Sequence, residues 1–178
     1  MRLGKDLIGK QIISVVDGRI IGTVKDIYVN QDLYWVTGVH VGSEGLLKRK
    51  SLVIPRESIA VIGFDVILVK ETDVIVDGQD LPESEEWVRL SKLRGRQVDT
   101  PGGTKVGTIG DVILGKEGHI SSFSLAKVFI EGPVAQQGTI PREALVDTGD
   151  VDGVMTVDLP KVESLQSGEP DGGEDRES

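Results

Sequence analysis

His40 and His119 are the only histidines in a chain of 178 residues that has no cysteine. Thiolate nucleophiles, disulfides and cysteine-based metal centres are therefore excluded. Two histidines at unrelated places in the pattern make a poor metal site. Asp150-x-Asp152-Gly153 hints at a calcium loop. With Thr148 as its first position, the twelfth is Leu159, where a bidentate Glu is required. Asp26 and Asp111 each follow a β-rich run, with no His or second acid at a spacing suited to acid–base work. They read as acceptors of backbone N–H groups that fix turns. Gly9, Gly22, Gly95 and Gly107 fit neither a dinucleotide fingerprint nor a P-loop. Positive φ or close strand packing explains them. The chain is thus expected not to be an enzyme and to carry no metal or cofactor.

Binding chemistry is better represented. Leu46-Leu47 precede Lys48-Arg49-Lys50. A basic run beside apolar residues suits an acidic protein partner, RNA or anionic lipid headgroups. The competing reading is an edge strand guarded by cations against pairing with another chain. Tyr34 and Trp35 sit near a turn in a chain poor in aromatics, and read as core residues or as a binding patch. The net charge of −9 argues against non-specific nucleic-acid binding, which depends on neutralising phosphates.

The elements that must position these residues come twice. Arg2-Leu3-Gly4-Lys5 returns as Arg89-Leu90-Ser91-Lys92, and Leu7-Ile8-Gly9-Lys10-Gln11-Ile12 as Leu93-Arg94-Gly95-Arg96-Gln97-Val98. Gly22-Thr23-Val24-Lys25-Asp26-Ile27 returns as Gly107-Thr108-Ile109-Gly110-Asp111-Val112. Ile54-Pro55-Arg56-Glu57 returns unchanged as Ile140-Pro141-Arg142-Glu143. Ordered matches at a spacing between 85 and 87 indicate a tandem duplication. In the last match, Arg and Glu suit a short helical turn after the proline, or a contact between the copies.

Within each copy, short runs rich in Val and Ile are separated by turn residues, and 23 glycines support tight turns. Strands are predicted over 12–16, 19–29, 34–41, 48–54, 58–62 and 66–69. In the second copy they begin at Val98 and cover 105–114, 119–130, 138–140, 144–146 and 154–159. Asp17-Gly18 suits a hairpin turn, and Gly132-Pro133 opens a longer one. The organisation is copy one over 1–71, an acidic linker over 72–87, copy two over 88–160, and a tail over 161–178. Proline at 82 followed by acids suits a short helix in the linker. The tail is poor in apolar residues and predicted to be disordered. The expected class is all-β: two small antiparallel barrels packed as a pseudo-dimer.

The pattern Leu-x-Gly-(Lys/Arg)-x-(Ile/Val), then Gly-x-(Val/Ile)-x-Asp-(Ile/Val), then Ile-Pro-x-Glu resembles the PRC-barrel family. This domain occurs in the photosynthetic reaction-centre H subunit and in a ribosome maturation factor. The run from Gly45 to Pro55 is similar to the family's glycine, apolar and basic stretch before its proline. The second copy departs at Gly132-Pro133-Val134-Ala135-Gln136-Gln137-Gly138, which has no basic residue. The resemblance implies small β-barrels that serve as a docking or assembly module without activity of their own. The expected partner is a protein assembly. The alternatives are RNA or the ribosome, and the surface of a photosynthetic or cell-division membrane complex. Homo-oligomers remain open. No apolar run reaches the ~20 residues of a membrane span, so a cytoplasmic protein is expected, with the inner membrane face as the alternative.

Overall fold

The computed structural model describes residues 2–44, 50–150 and 153–167. Strand dominates it. The first half begins with β1 (Arg2–Leu3), a 3-10 turn at Gly4–Leu7, β2 (Gln11–Ser14) and β3 (Ile20–Thr23). It continues with β4 (Asp26–Val29), β5 (Val36–Glu44), β6 (Lys50–Pro55), β7 (Ile59–Ile62), β8 (Val66–Val69) and β9 (Val76–Asp77). The predicted run over 19–29 divides in two. Val24 N–H donates to Lys10 O at 2.9 Å, while Lys25 N–H donates to His40 O at 2.8 Å. At these two residues the chain leaves one sheet and enters another.

The second half holds β10 (Val88–Arg89), α1 (Leu90–Leu93), β11 (Gln97–Asp99), β12 (Lys105–Leu114) and β13 (Ile120–Val128). Then come α2 (Pro133–Gln137), β14 (Thr139–Pro141), β15 (Leu145–Asp147), β16 (Met155–Val157) and α3 (Leu159–Ser167). The order across its sheet is β14-β13-β12-β11-β16-β15. The first half has the same order in two pieces, β6-β5-β4 and β3-β2-β8-β7. β12 runs unbroken where β3 and β4 are separate. The expectation of antiparallel strands throughout needs correction. β2 pairs with β8, and β11 with β16, in parallel. In each case a long excursion returns the chain to the second strand of its half, which is the connection a parallel pair requires.

The halves exchange their entry strands. β1 pairs antiparallel with β12, placing Arg2 opposite Leu114 and Leu3 opposite Ile113. β10 pairs antiparallel with β4, placing Val88 opposite Val29 and Arg89 opposite Tyr28. Leu3 and Arg89 therefore occupy matching places. The Arg-Leu-x-Lys match at a spacing of 87 is out of register with the ladders by one residue. From Leu7 and Leu93 onward the register agrees: Gly9 N–H donates to Val24 O and Gly95 N–H to Ile109 O, both at 2.7 Å.

One apolar cluster runs through both halves, from Leu7, Ile12 and Ile27 through Leu90 and Leu93 to Phe123, Ile140 and Val162. Each such side chain contributes about 1.5–3 kcal/mol on burial, so neither half keeps a closed core of its own. The predicted linker is built into this body. Val74 is buried, β9 pairs with β6, and Pro82–Glu86 forms a 3-10 turn with proline at its start. α2 replaces the expected long turn after Gly132, and ends at Gly138 with φ +64°. The tail predicted to be disordered from residue 161 is helical over its first residues. Val162 is fully buried, and Gln166 Nε2 donates to Thr139 O at 2.8 Å. That anchor holds α3 as an ordered helix through Ser167, and residues 168–178 lie outside the described part.

Candidate functional site

The duplicated carboxylates act across the junction. Asp26 Oδ1 accepts from Ile27 N–H at 2.9 Å and from Ser91 N–H at 3.3 Å, and Oδ2 accepts from Ser91 Oγ at 2.5 Å. Asp111 Oδ1 accepts from Val112 N–H at 2.8 Å, and its Oδ2 accepts from Lys5 N–H at 3.1 Å. Each buried carboxylate fixes its own strand and holds the first turn of the opposite half. The sequence suggested acceptors of backbone N–H groups that fix turns, without saying in which half. The repeat marks these residues, but only the fold supplies the donor.

Arg56 and Arg142 also reach across. Arg142 Nε donates to Asp32 O at 2.8 Å, and its guanidinium lies 3.8 Å from the Tyr34 ring centre. Arg56 donates from NH2 to Glu117 O at 3.2 Å and from NH1 to Ile59 O at 3.0 Å. Pro55 and Pro141 end β6 and β14, and Glu57 and Glu143 are exposed in the 3-10 turns that follow. Tyr34 and Trp35 stand where the halves meet. Trp35 forms an isolated bridge with His119, ring centres 5.0 Å apart, and Ile120 N–H donates to Tyr34 O at 2.7 Å. Trp35 nevertheless stays 48 % exposed.

The four repeated glycines separate into two kinds. Gly9 and Gly95 have φ of +83° and +86°, which only glycine adopts without strain. Gly107 has ordinary φ, but a Cβ there would strike Lys127 O on the neighbouring strand. At Gly22 the nearest atom is Val41 Cβ at 4.0 Å, so a methyl group has room.

A polar cluster that the sequence did not flag lies on the β4–β10 side. Tyr28 and His40 are both 7 % exposed. Tyr28 Oη lies 3.3 Å from His40 Nδ1 and 3.2 Å from Ser51 Oγ, and Ser51 Oγ lies 3.3 Å from the same Nδ1. Arg89 NH2 donates to Ser51 Oγ at 3.3 Å, and the guanidinium sits 5.4 Å from the Tyr28 ring centre. Trp87 packs on Tyr28 from the other strand end, at 5.7 Å between centres. Burial, and then the Arg89 cation, push the His40 pKa down, with Asp26 opposing. A neutral imidazole with its proton on Nε2 presents Nδ1 as an acceptor to both hydroxyls. A cleft of about 210 Å³ opens beside it, lined by Tyr28, Ser51, Val53, Gln79, Leu81 and Ser84. In the second half the ladders put Ile113 at the place of Tyr28, Ser124 at that of His40 and Leu3 at that of Arg89. The cluster therefore exists once. Two features could have pointed to it: a His on an otherwise apolar strand, and its failure to repeat.

Of the basic segment, Lys50 opens β6 and is exposed. Leu46, Leu47, Lys48 and Arg49 lie outside the described residues. Among the described residues, no three His, Cys, Asp or Glu side chains converge as metal ligands. None of the helices described is long and apolar enough to cross a membrane.

The geometry defines an all-β protein of two halves that exchange their entry strands, with the matching polar residues serving the joint between them. Residues 1–77 match the PRC-barrel domain family, so the first half is a PRC-barrel domain. No curated protein matches the chain.

Proposed function

We propose that this protein is a non-enzymatic assembly adaptor in which a PRC-barrel domain and a diverged second copy form one docking body. The match over residues 1–77 carries the reading, because that domain points to protein interaction and assembly. The use of the repeated side chains supports it. Asp26, Asp111, Arg56 and Arg142 are all engaged in holding the halves together. Exposed aromatics at Trp35, Phe64 and Phe129 leave surface for a partner. In this reading the docking segment is Leu46 to Lys50, which has no basic counterpart in the second half.

The test is affinity capture of the tagged full chain from gently lysed native cells, alongside a Leu46→Asp variant. A stoichiometric protein complex is expected with the parent chain and not with the variant, at equal thermal stability. Recovery of the chain alone would sink the reading. Recovery of ribosomal particles lost at high salt would transfer it to an RNA-associated factor.

A further inference from the structure

The two joints between the halves have the same backbone geometry and different chemistry. At the β1–β12 joint the side chains at the matching places are Leu3, Ile113 and Ser124. At the β4–β10 joint they are Arg89, Tyr28 and His40. We propose that the β4–β10 joint is a proton-operated latch: protonating His40 loosens β10 and Trp87 from β4, while the β1–β12 joint stays closed.

The argument is one of donors and acceptors. His40 Nδ1 faces two hydroxyls, Tyr28 Oη and Ser51 Oγ, at 3.3 Å each. In the neutral tautomer that carries its proton on Nε2, Tyr28 Oη or Ser51 Oγ donates to it. Once protonated, Nδ1 donates instead, and the hydroxyl that donated to it must turn. Ser51 Oγ can then accept from Arg89 and from Nδ1 while donating to Tyr28 Oη, but the Tyr28 hydroxyl proton is left with no acceptor within the cluster. The new charge also stands beside the Arg89 cation. Of the carboxylates nearby, Asp26 lies opposite His40 in the ladder but is held by Ser91, through both N–H and Oγ. Glu85 lines the cleft that Tyr28 and Ser51 share. The strand to be released is short: two residues pair it to β4, and Trp87 next to it leans on Tyr28. Opening there widens the existing cleft and frees an indole.

The direction with pH follows from the lowered pKa. A histidine whose folded value lies below the unfolded value of 6.5 stabilises the fold fully above that value. The contribution is lost as pH falls from there through the folded value.

The test uses the full chain. His40 is titrated by NMR, and amide protection is compared between about pH 7.5 and about pH 5, the range over which imidazoles change charge. Protection at Val29 and Val88 should fall about tenfold or more relative to their counterparts Leu114 and Arg2, beyond the intrinsic pH effect on exchange. In a Trp35→Phe background, Trp87 emission should shift to the red with the His40 midpoint. His40→Gln should remove the shift, and His119→Gln should leave it. Arg89→Gln should raise the His40 midpoint, which keeps the proposal testable if His40→Gln does not fold. Equal loss of protection at both joints, a pH response that survives His40→Gln, or an unmoved midpoint in Arg89→Gln would overturn it.

Discussion

At the level of single residues, the repeated positions differ in what they tolerate, and the neighbours decide. Asp26→Ala removes the acceptor for a backbone N–H in its own strand and for two donors on Ser91. Ser91 is exposed and water can replace the acceptor there, so the buried donor left unsatisfied is the Ile27 N–H, and a loss of about 1–3 kcal/mol is expected in urea denaturation. Asp111→Ala, with a partner in each half but no serine hydroxyl bonded to it, should lose less. Gly107→Ala should destabilise strongly because the methyl group meets backbone. Gly22→Ala should be close to neutral, since its nearest neighbour is 4.0 Å away. Thermal midpoints of the two alanine variants check the contrast. Equal losses would mean that Gly22 is constrained by something other than space. These residues were visible in the sequence as a repeated set. Their division into strained, crowded and free positions was not, because it depends on Lys127 and Val41 from other strands.

Elements were legible where apolar alternation was long and its ends were marked. β12 has the predicted bounds, 105–114, and β8 those of 66–69. The errors occurred where a distant contact overrides local pattern. The run 19–29 divides because Val24 and Lys25 bond to different sheets. The tail forms α3 because one valine finds a socket among α2, β14 and the turn at Arg142–Ala144. Val162→Asp should therefore release α3 alone. Limited proteolysis is expected to cut within 159–167 while the far-UV strand signal persists. Loss of the whole fold would show instead that α3 is required by the core. The entry strands were invisible in the sequence for a similar reason: a two-residue segment has no periodicity, and its partner belongs to the other half.

For the molecule as a whole, a single core and two exchanged strands predict one cooperative transition. Tryptophan emission and far-UV circular dichroism should give coincident denaturation curves, even in Arg56→Ala with Arg142→Ala, which removes two of the cross-half guanidiniums. Two separated transitions would mean that the halves are autonomous domains. The sequence could single out His40 but not its partners, for a whole-molecule reason: the cluster joins residues 28, 40 and 51 of one half to 89 of the other.

The facing pair of Gly4 and Leu90 carries one more consequence. The ladders give them matching places, and a Cβ on Gly4 would come within 3.0 Å of the Leu90 side chain. One position is empty where its counterpart is full. Two first halves brought together would leave a void at the axis, and two second halves would collide. Covalent linkage keeps the complementary pair in one chain, where their encounter does not depend on abundance. The protein thus remains matched at any dilution, and a scarce cell supply would not leave halves in search of partners.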